Sequence, residues 1–584
     1  MFYHDAYDPV YRSPLGAVKC GQDVTICAKS DCAVTLRLWG DRGEEKIPMT
    51  EKNGLYSASF TAQEAGLLWY CFLLEDGRVF CAPDDLLGGE SVLLNHDAPL
   101  HSHQITVYSS DYVTPSWMRE AVVYQIFPDR FCDGCNGALL KRRKDICIHT
   151  DMQEMPYCIP DGDGEVIKTD DFYGGNLKGI EQKLPYLRQL GVTALYLNPI
   201  FESPSNHKYN TGNYMRIDPT FGDEADFVSL CKAAHALQMR VILDGVFSHT
   251  GDDSVYFNRY GRYPTVGAYQ SKKSRYFKWY TFRKFPDDYK CWWDFKTLPN
   301  VNEMEPSYLD FIIRAENSVI AKWLQLGADG WRLDVADELP EEFIQLLRAR
   351  VKQIKPDACI IGEVWEDASN KISYGKLRHY LCGQELDSVM NYPLREALIQ
   401  FFLGLENAAD TARRITCLQN NYPKEAFYSM MNLIGSHDRS RIINILGECD
   451  DQRIDRFAQR DVRMTEEQYA LGKARLKKMF TAVSVLPGMP TIYYGDEAGL
   501  QGMRDPFCRA FYPWGRQDTE LVEHFQQALQ MRADNPVLRT GFLRMGAVGE
   551  DTLVVERYLQ DGLDAFGQRV TRGQRKMQIE IMRR

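Results

Sequence analysis

Carboxylates, histidines and one arginine recur at the ends of apolar, β-branched runs of this chain. They stand in Asp244-Gly-Val-Phe-Ser-His249, Gly330-Trp-Arg332-Leu-Asp334, Gly362-Glu363-Val-Trp365 and Gly435-Ser-His437-Asp438. Arg332 and Asp334 are two apart, so on a strand their side chains share one face. A guanidinium beside Asp334 favours its ionised form, as a nucleophile requires. Glu363 is flanked by Val364 and Trp365, apolar neighbours that would raise its pKa, as a general acid requires. An ionised carboxylate next to a protonated one is the pairing that cleaves glycosidic bonds. Each residue also has a plain structural reading: an Asp at a strand end often caps the next helix, and Arg332 could simply neutralise Asp334. Chemistry is favoured because all of them fall at strand ends that one fold would bring to one rim.

Those strand ends need a scaffold. From Trp117 onward, apolar runs alternate with amphipathic stretches. The strands expected are Ala121–Phe127, Val192–Asn198, Arg240–Val246, Gly330–Val335, Cys359–Glu363, Leu386–Met390, Met430–Ile434 and Thr491–Tyr494. Helices are expected at Lys178–Leu190, Ala225–Leu237, Leu309–Leu326, Pro340–Ile354 and Leu471–Val485. Eight such repeats predict a (β/α)₈ TIM barrel over residues 116–535, in preference to a doubly wound sheet. Residues 247–305, rich in Tyr, Lys and Asp, are expected as a small subdomain inserted after strand three. Residues 1–115 read as short strands (Val24–Ala28, Val34–Trp39, Leu55–Phe60, Leu67–Leu74, Ile105–Tyr108) broken by turn residues, which predicts an N-terminal β-sandwich. Residues 536–584 leave room for a short C-terminal β region, and the sequence does not decide whether it is ordered.

Composition narrows the function. The chain has 584 residues and a net charge of −11, which disfavours nucleic acid and anionic membrane as partners. There is no run of about 18 apolar residues and no basic-then-apolar leader, so a cytoplasmic protein without a membrane span is expected. The 16 cysteines are scattered rather than framed, which suits free thiols in a reducing compartment.

The strings DGVFSH, GWRLDVADE, GEVW and GSHD resemble, in order and in strand placement, the signature regions of the α-amylase superfamily, glycoside hydrolase family 13. NPIFESPSNHKYNT, LPNVN (Leu298–Asn302), GDEAGL, DPFCR (Asp505–Arg509) and the opening HDAYDPVYRSPLGAV resemble its cyclomaltodextrinase, neopullulanase and maltogenic amylase subgroup, over about residues 1–535. The resemblance implies Asp334 as nucleophile, Glu363 as acid/base and Asp438 as transition-state stabiliser, with Arg332 partnering the nucleophile. It implies that His207, Tyr209, His249, His437, Asp505 and Arg509 bind the sugar being cleaved, and that Trp365 and Glu338 lie on the leaving-group side.

Several positions depart from the family pattern. Ser248 stands where Asn is usual, Asn176 turns YGGDL into YGGNL, and CDGCN (Cys132 to Asn136) replaces an Asn-rich loop associated with calcium. No cofactor is therefore expected to be required, with calcium weakened; the CDGC pair with Cys147 and Cys158 raises zinc as a lesser alternative. Asp337 and Arg439-Ser-Arg441 also differ, near acceptor subsites. The implied function is a retaining α-glucan hydrolase acting on α-1,4 bonds of maltooligosaccharides, cyclodextrins or pullulan, and the subgroup implies a homodimer. A transglycosylase of the same superfamily is the alternative. A non-catalytic carbohydrate-binding relative is disfavoured because all three carboxylates are present.

Overall fold

The computed structural model describes residues 1–583 apart from 86, 96–98, 159 and 162–165. Eight parallel strands form its central sheet: β1 (Val123–Ile126), β2 (Ala194–Leu197), β3 (Arg240–Gly245), β4 (Gly330–Leu333), β5 (Cys359–Gly362), β6 (Ser388–Val389), β7 (Met431–Leu433) and β8 (Met489–Tyr493). They pair in the order β6-β5-β4-β3-β2-β1-β8-β7. A parallel bridge from Met390 to Met431 joins β6 to β7 and closes the barrel.

Alternation sorts each strand. Val123, Ala194, Tyr196, Ile242, Ile361, Met431 and Leu433 fill the interior. Tyr124, Ile126, Leu195, Leu197, Leu243, Trp331 and Leu333 face the helical layer. Arg332, Asp244 and Gln125 sit on the inward parity at the carboxyl ends, which is why they meet in space. Most observed strands stop a residue or two short of the sequence runs, because Asp334, Glu363 and Asn198 leave the ladder to project over the rim.

The outer layer begins with α1 (Leu177–Leu190), α2 (Glu224–Ala236), α3 (Val319–Gln325), α4 (Glu341–Ile354), α5 (Tyr392–Leu403), α6 (Ala408–Asn421), α7 (Glu466–Val485) and α8 (Thr519–Asp534). The continuous helix expected over Leu309–Leu326 is broken. A short helical turn and a π-type turn end at Arg314, and α3 restarts where Ser318 Oγ accepts from the Ala321 amide. No α-helix follows β5 before β6 among the described residues. A hairpin, Ile372–Ser373 against Lys376–Leu377, stands in its place.

The N-terminal strands form two sheets whose inner faces (Val24, Ile26, Leu36, Tyr70, Phe72, Ile105, Val107) make a separate core. The segment after β3 packs on its own aromatic cluster of Phe257, Trp279, Tyr280 and Tyr289. It is pinned back to β3 where the Val301 amide donates to the Ser248 carbonyl. The C-terminal segment is ordered as a three-stranded antiparallel sheet, Phe542–Val548, Thr552–Tyr558 and Lys576–Met582.

Candidate active site

Arg332, fully buried at the end of β4, holds the centre. Its Nη1 donates to Asp244 Oδ1 and Asp334 Oδ1, both at 2.8 Å. Its Nη2 lies 2.7 Å from Glu363 Oε2 as an ion-pair contact. One guanidinium therefore faces three carboxylates from β3, β4 and β5. Glu363 takes two further donors, the Val335 amide on Oε2 at 2.8 Å and Trp365 Nε1 on Oε1 at 2.9 Å. The Val335 amide points there because Val335 adopts a left-handed backbone, φ 36°. That conformation is rare for a β-branched residue and costs on the order of 1–3 kcal/mol.

The sequence reading gave Arg332 to Asp334 alone and apolar walls to Glu363; the structure corrects both. Arg332 serves the whole cluster, and Trp365 presents an N–H to Glu363. Three carboxylates around one cation in a buried site crowd like charges together. Burial pushes Asp334 well above the usual carboxylate range, with Glu363 and Asp244 adding to the rise and Arg332 opposing it. Burial likewise raises Asp244 against Arg332 and the hydroxyls of Tyr196 and Tyr209.

A second group faces the first. His437 Nε2 is 3.2 Å from Asp438 Oδ2, and Arg509 Nη2 donates to Asp438 Oδ1 at 3.3 Å. Asp505 lies 3.9 Å from Arg509 and accepts from Arg456 at 3.0 Å. The Tyr209 ring stacks on His437 with centroids 5.1 Å apart, and its hydroxyl donates to Asp244 Oδ2 at 2.8 Å, linking the two groups. His207 borders Tyr209, its Nδ1 accepting the Tyr209 amide at 3.0 Å. Burial holds His437 and His207 far below the usual imidazole range and lowers His249 to about 4. All three are therefore neutral at pH 7. His249 Nε2 is buried with no hydrogen-bond partner among the described residues.

Trp365 reaches the first cluster through its Nε1, while Glu338 stands apart from it. Trp365 stacks on Tyr392 at 4.6 Å with the Arg439 guanidinium 4.1 Å above its ring, so Arg439, one of the sequence departures, walls that side. Glu338 touches none of the carboxylates; its Oε1 accepts from Trp293 and Tyr374. Sequence reasoning assigned no role to Asp244, although it quoted the strand end that carries it. It passed over Gln125, whose Nε2 is 2.9 Å from His437 Nδ1, and Asn198, which donates to the Tyr209 hydroxyl at 2.9 Å. Asn198 carries the signal that found Asp334, a polar residue closing an apolar run, whereas Gln125 interrupts its run.

The loop around Asn176 does not fit the implied calcium. Asn176 Nδ2 donates directly to Asp133 Oδ1 at 2.9 Å, and its Oδ1 accepts from the Gly134 and Gly179 amides. Asp133 spends its oxygens on the Cys135 and Gly137 amides. N–H donors thus point where a cation needs oxygen ligands. Among the described residues no group of three or more His, Cys, Asp or Glu could hold a metal. A cavity of about 1100 Å³ opens at the barrel's other end. Its one buried carboxylate, Asp329, is already paired with His235, Arg240 and Lys355.

A closed (β/α)₈ barrel with three carboxylates converging at the carboxyl ends of adjacent strands, flanked by an N-terminal double sheet and a C-terminal sheet, defines a multidomain barrel enzyme class. The alpha-amylase catalytic-domain model matches residues 125–543, and the chain belongs to that family. It is 38% identical to an amylopullulanase of Thermoanaerobacterium saccharolyticum over 97% of this chain and 47% of that protein. It is 34% identical to neopullulanase 2 of Thermoactinomyces vulgaris over 75% of this chain and 66% of that protein. A solved cyclomaltodextrinase structure superposes with a TM-score of 0.63 at 27% identity, covering 95% of this chain and 88% of that one. The chain spans about half the length of the T. saccharolyticum amylopullulanase. No helix among the described residues is long and apolar enough to cross a membrane.

Proposed function

We propose that this chain is a retaining α-glucan hydrolase that cleaves α-1,4 bonds of maltooligosaccharides, cyclodextrins or pullulan. One observation carries the reading: Arg332 joins Asp334 and Glu363, on neighbouring strands, into one electrostatic unit over the barrel mouth. In the proposed cycle Glu363 gives its proton to the glycosidic oxygen while Asp334 attacks the anomeric carbon. The bond to the leaving sugar breaks and a covalent glycosyl–Asp334 forms. Glu363 then takes a proton from water, whose oxygen displaces Asp334 and restores the resting state. The cycle needs a proton on Glu363 and the charge on Asp334, with Arg332 in contact with both. Asp438, with neutral His437 beside it, would hold the hydroxyls of the distorted sugar.

No cofactor enters this cycle, and metal removal should not affect it. The names of the relatives support oligosaccharide or pullulan substrates, the resemblance supports a homodimer, and the scattered cysteines support a reducing, cytoplasmic location. The deciding experiment is NMR of the first product released from maltooligosaccharides, cyclodextrins and pullulan. An initial α-anomer is expected. An initial β-anomer would overturn the mechanism, and products longer than the substrate would assign transfer instead of hydrolysis.

A further inference from the structure

Two large rings stand out in solvent near the cleft. Trp293 is 73% exposed and Tyr374 75% exposed. Both occupy the left-handed backbone region, φ 47° and 51°, where bulky residues are uncommon. They come from different segments, one from the insertion after β3 and one from the tip of the hairpin that replaces a helix after β5. Yet both reach the same atom: Trp293 Nε1 donates to Glu338 Oε1 at 3.4 Å and the Tyr374 hydroxyl at 2.5 Å. Glu338 follows Asp334 by four residues, so the tie anchors the rings to the loop that carries the proposed nucleophile.

The rings also continue the site. The His249 ring lies 5.8 Å from Trp292, and Trp292 lies 5.6 Å from Trp293. An aromatic track thus runs from the buried imidazole out to solvent. The hairpin stem is braced by the N-terminal sandwich, where Gln104 Nε2 donates to Ser369 Oγ at 2.9 Å and Asn370 Nδ2 donates to Gln104 Oε1 at 2.8 Å. Held in place yet packed against no core, such rings have the form of a platform for the apolar face of a pyranose, with Glu338 as a hydroxyl acceptor.

We propose that Trp293 and Tyr374, tied through Glu338, form an outer sugar-binding subsite at the cleft mouth, which takes an α-glucan chain extending past the cleaved bond. This rests on the glycosidase reading above. Asn tolerates left-handed backbone, so Tyr374→Asn and Trp293→Asn remove each ring while keeping the turn. For each variant, kcat/KM on maltoheptaose is divided by kcat/KM on 4-nitrophenyl α-maltoside, and melting temperatures check the fold. The ratio should fall about tenfold, through KM, the size of one lost stacking contact. Tyr374→Phe, which keeps the ring, should retain most of it. An unchanged ratio, or equal loss on both substrates, would overturn the subsite and leave the glycosidase reading standing. A folded wild type that cleaves neither sugar would overturn that reading, and the subsite with it.

Discussion

As the proposed nucleophile, Asp334 carries two demands that pull against each other. To attack a sugar it must be charged, and burial beside Glu363 and Asp244 makes that charge costly. The cost has a definite pH dependence. A carboxyl whose folded pKa is raised binds a proton in the folded state over a range where the unfolded chain, near 3.9, has lost it. Stability contributed by the bound proton is present below the unfolded value and is lost as pH rises through the folded one. Asp334→Asn removes that loss while Arg332 keeps Asp244 and Glu363. The variant should therefore melt above the wild type at pH 7, and the difference should shrink towards zero near pH 4. Its kcat should fall at least about a thousandfold. Thermal melts across that range, with sugar release measured alongside, test both halves. A stability gain that grows as the pH is lowered would refute the electrostatic account, and undiminished turnover would refute the nucleophile.

At the scale of elements, caps and loops decide what the barrel presents. Asn176 caps α1 through the Gly179 amide and ties it to the CDGCN loop through Asp133. Asn176→Asp keeps the cap but sets two carboxylates at hydrogen-bonding distance. The expected result is a loss of about 1–3 kcal/mol in chelator, recovered by added calcium, because only a cation could then bridge the pair. The wild type should melt alike in EDTA and calcium. If it loses stability in EDTA, oxygens outside this loop bind an ion.

The barrel strands were legible in sequence because each is a short apolar run buried on both faces. The helix α5 was not: Leu394, Ala397, Leu398, Phe401 and Phe402 are all buried, and only Glu396 and Gln400 mark its polar face. That Asp334, Glu363, Asp438 and His437 lie at the strand ends was legible, because they are polar residues closing those runs. What Arg332 shares, how Gln125 meets His437, and the left-handed turn at Val335 depend on neighbours tens to hundreds of residues away or on one backbone angle. No spacing along the chain encodes them.

The whole molecule is held together by side chains that end in backbone carbonyls. Tyr112 donates to the carbonyls of Leu386 and Asp387, locking the sandwich to the segment before β6. Buried Arg557 donates to the carbonyls of Val485, Leu538 and Gly541, locking the C-terminal sheet to the end of α7. The sandwich is thereby fixed beside the β5–β6 hairpin, and Trp293, Glu338 and Tyr374 from the barrel's own loops are tied together near the cleft. In the resembled subgroup a partner's sandwich narrows the mouth further, which is the basis for proposing a homodimer. A walled pocket admits a compact ring or a short oligomer and rejects a long helical polymer by sterics. The expected outcome is a kcat/KM on cyclodextrins or maltooligosaccharides above that on soluble starch by about tenfold or more, the size of a modest steric discrimination. Sedimentation velocity at micromolar concentration should give a dimer. If the protein sediments as a monomer and still discriminates against starch, the chain's own loops suffice to wall the cleft and the partner is unnecessary. A monomer that prefers starch would defeat the walled-pocket account altogether.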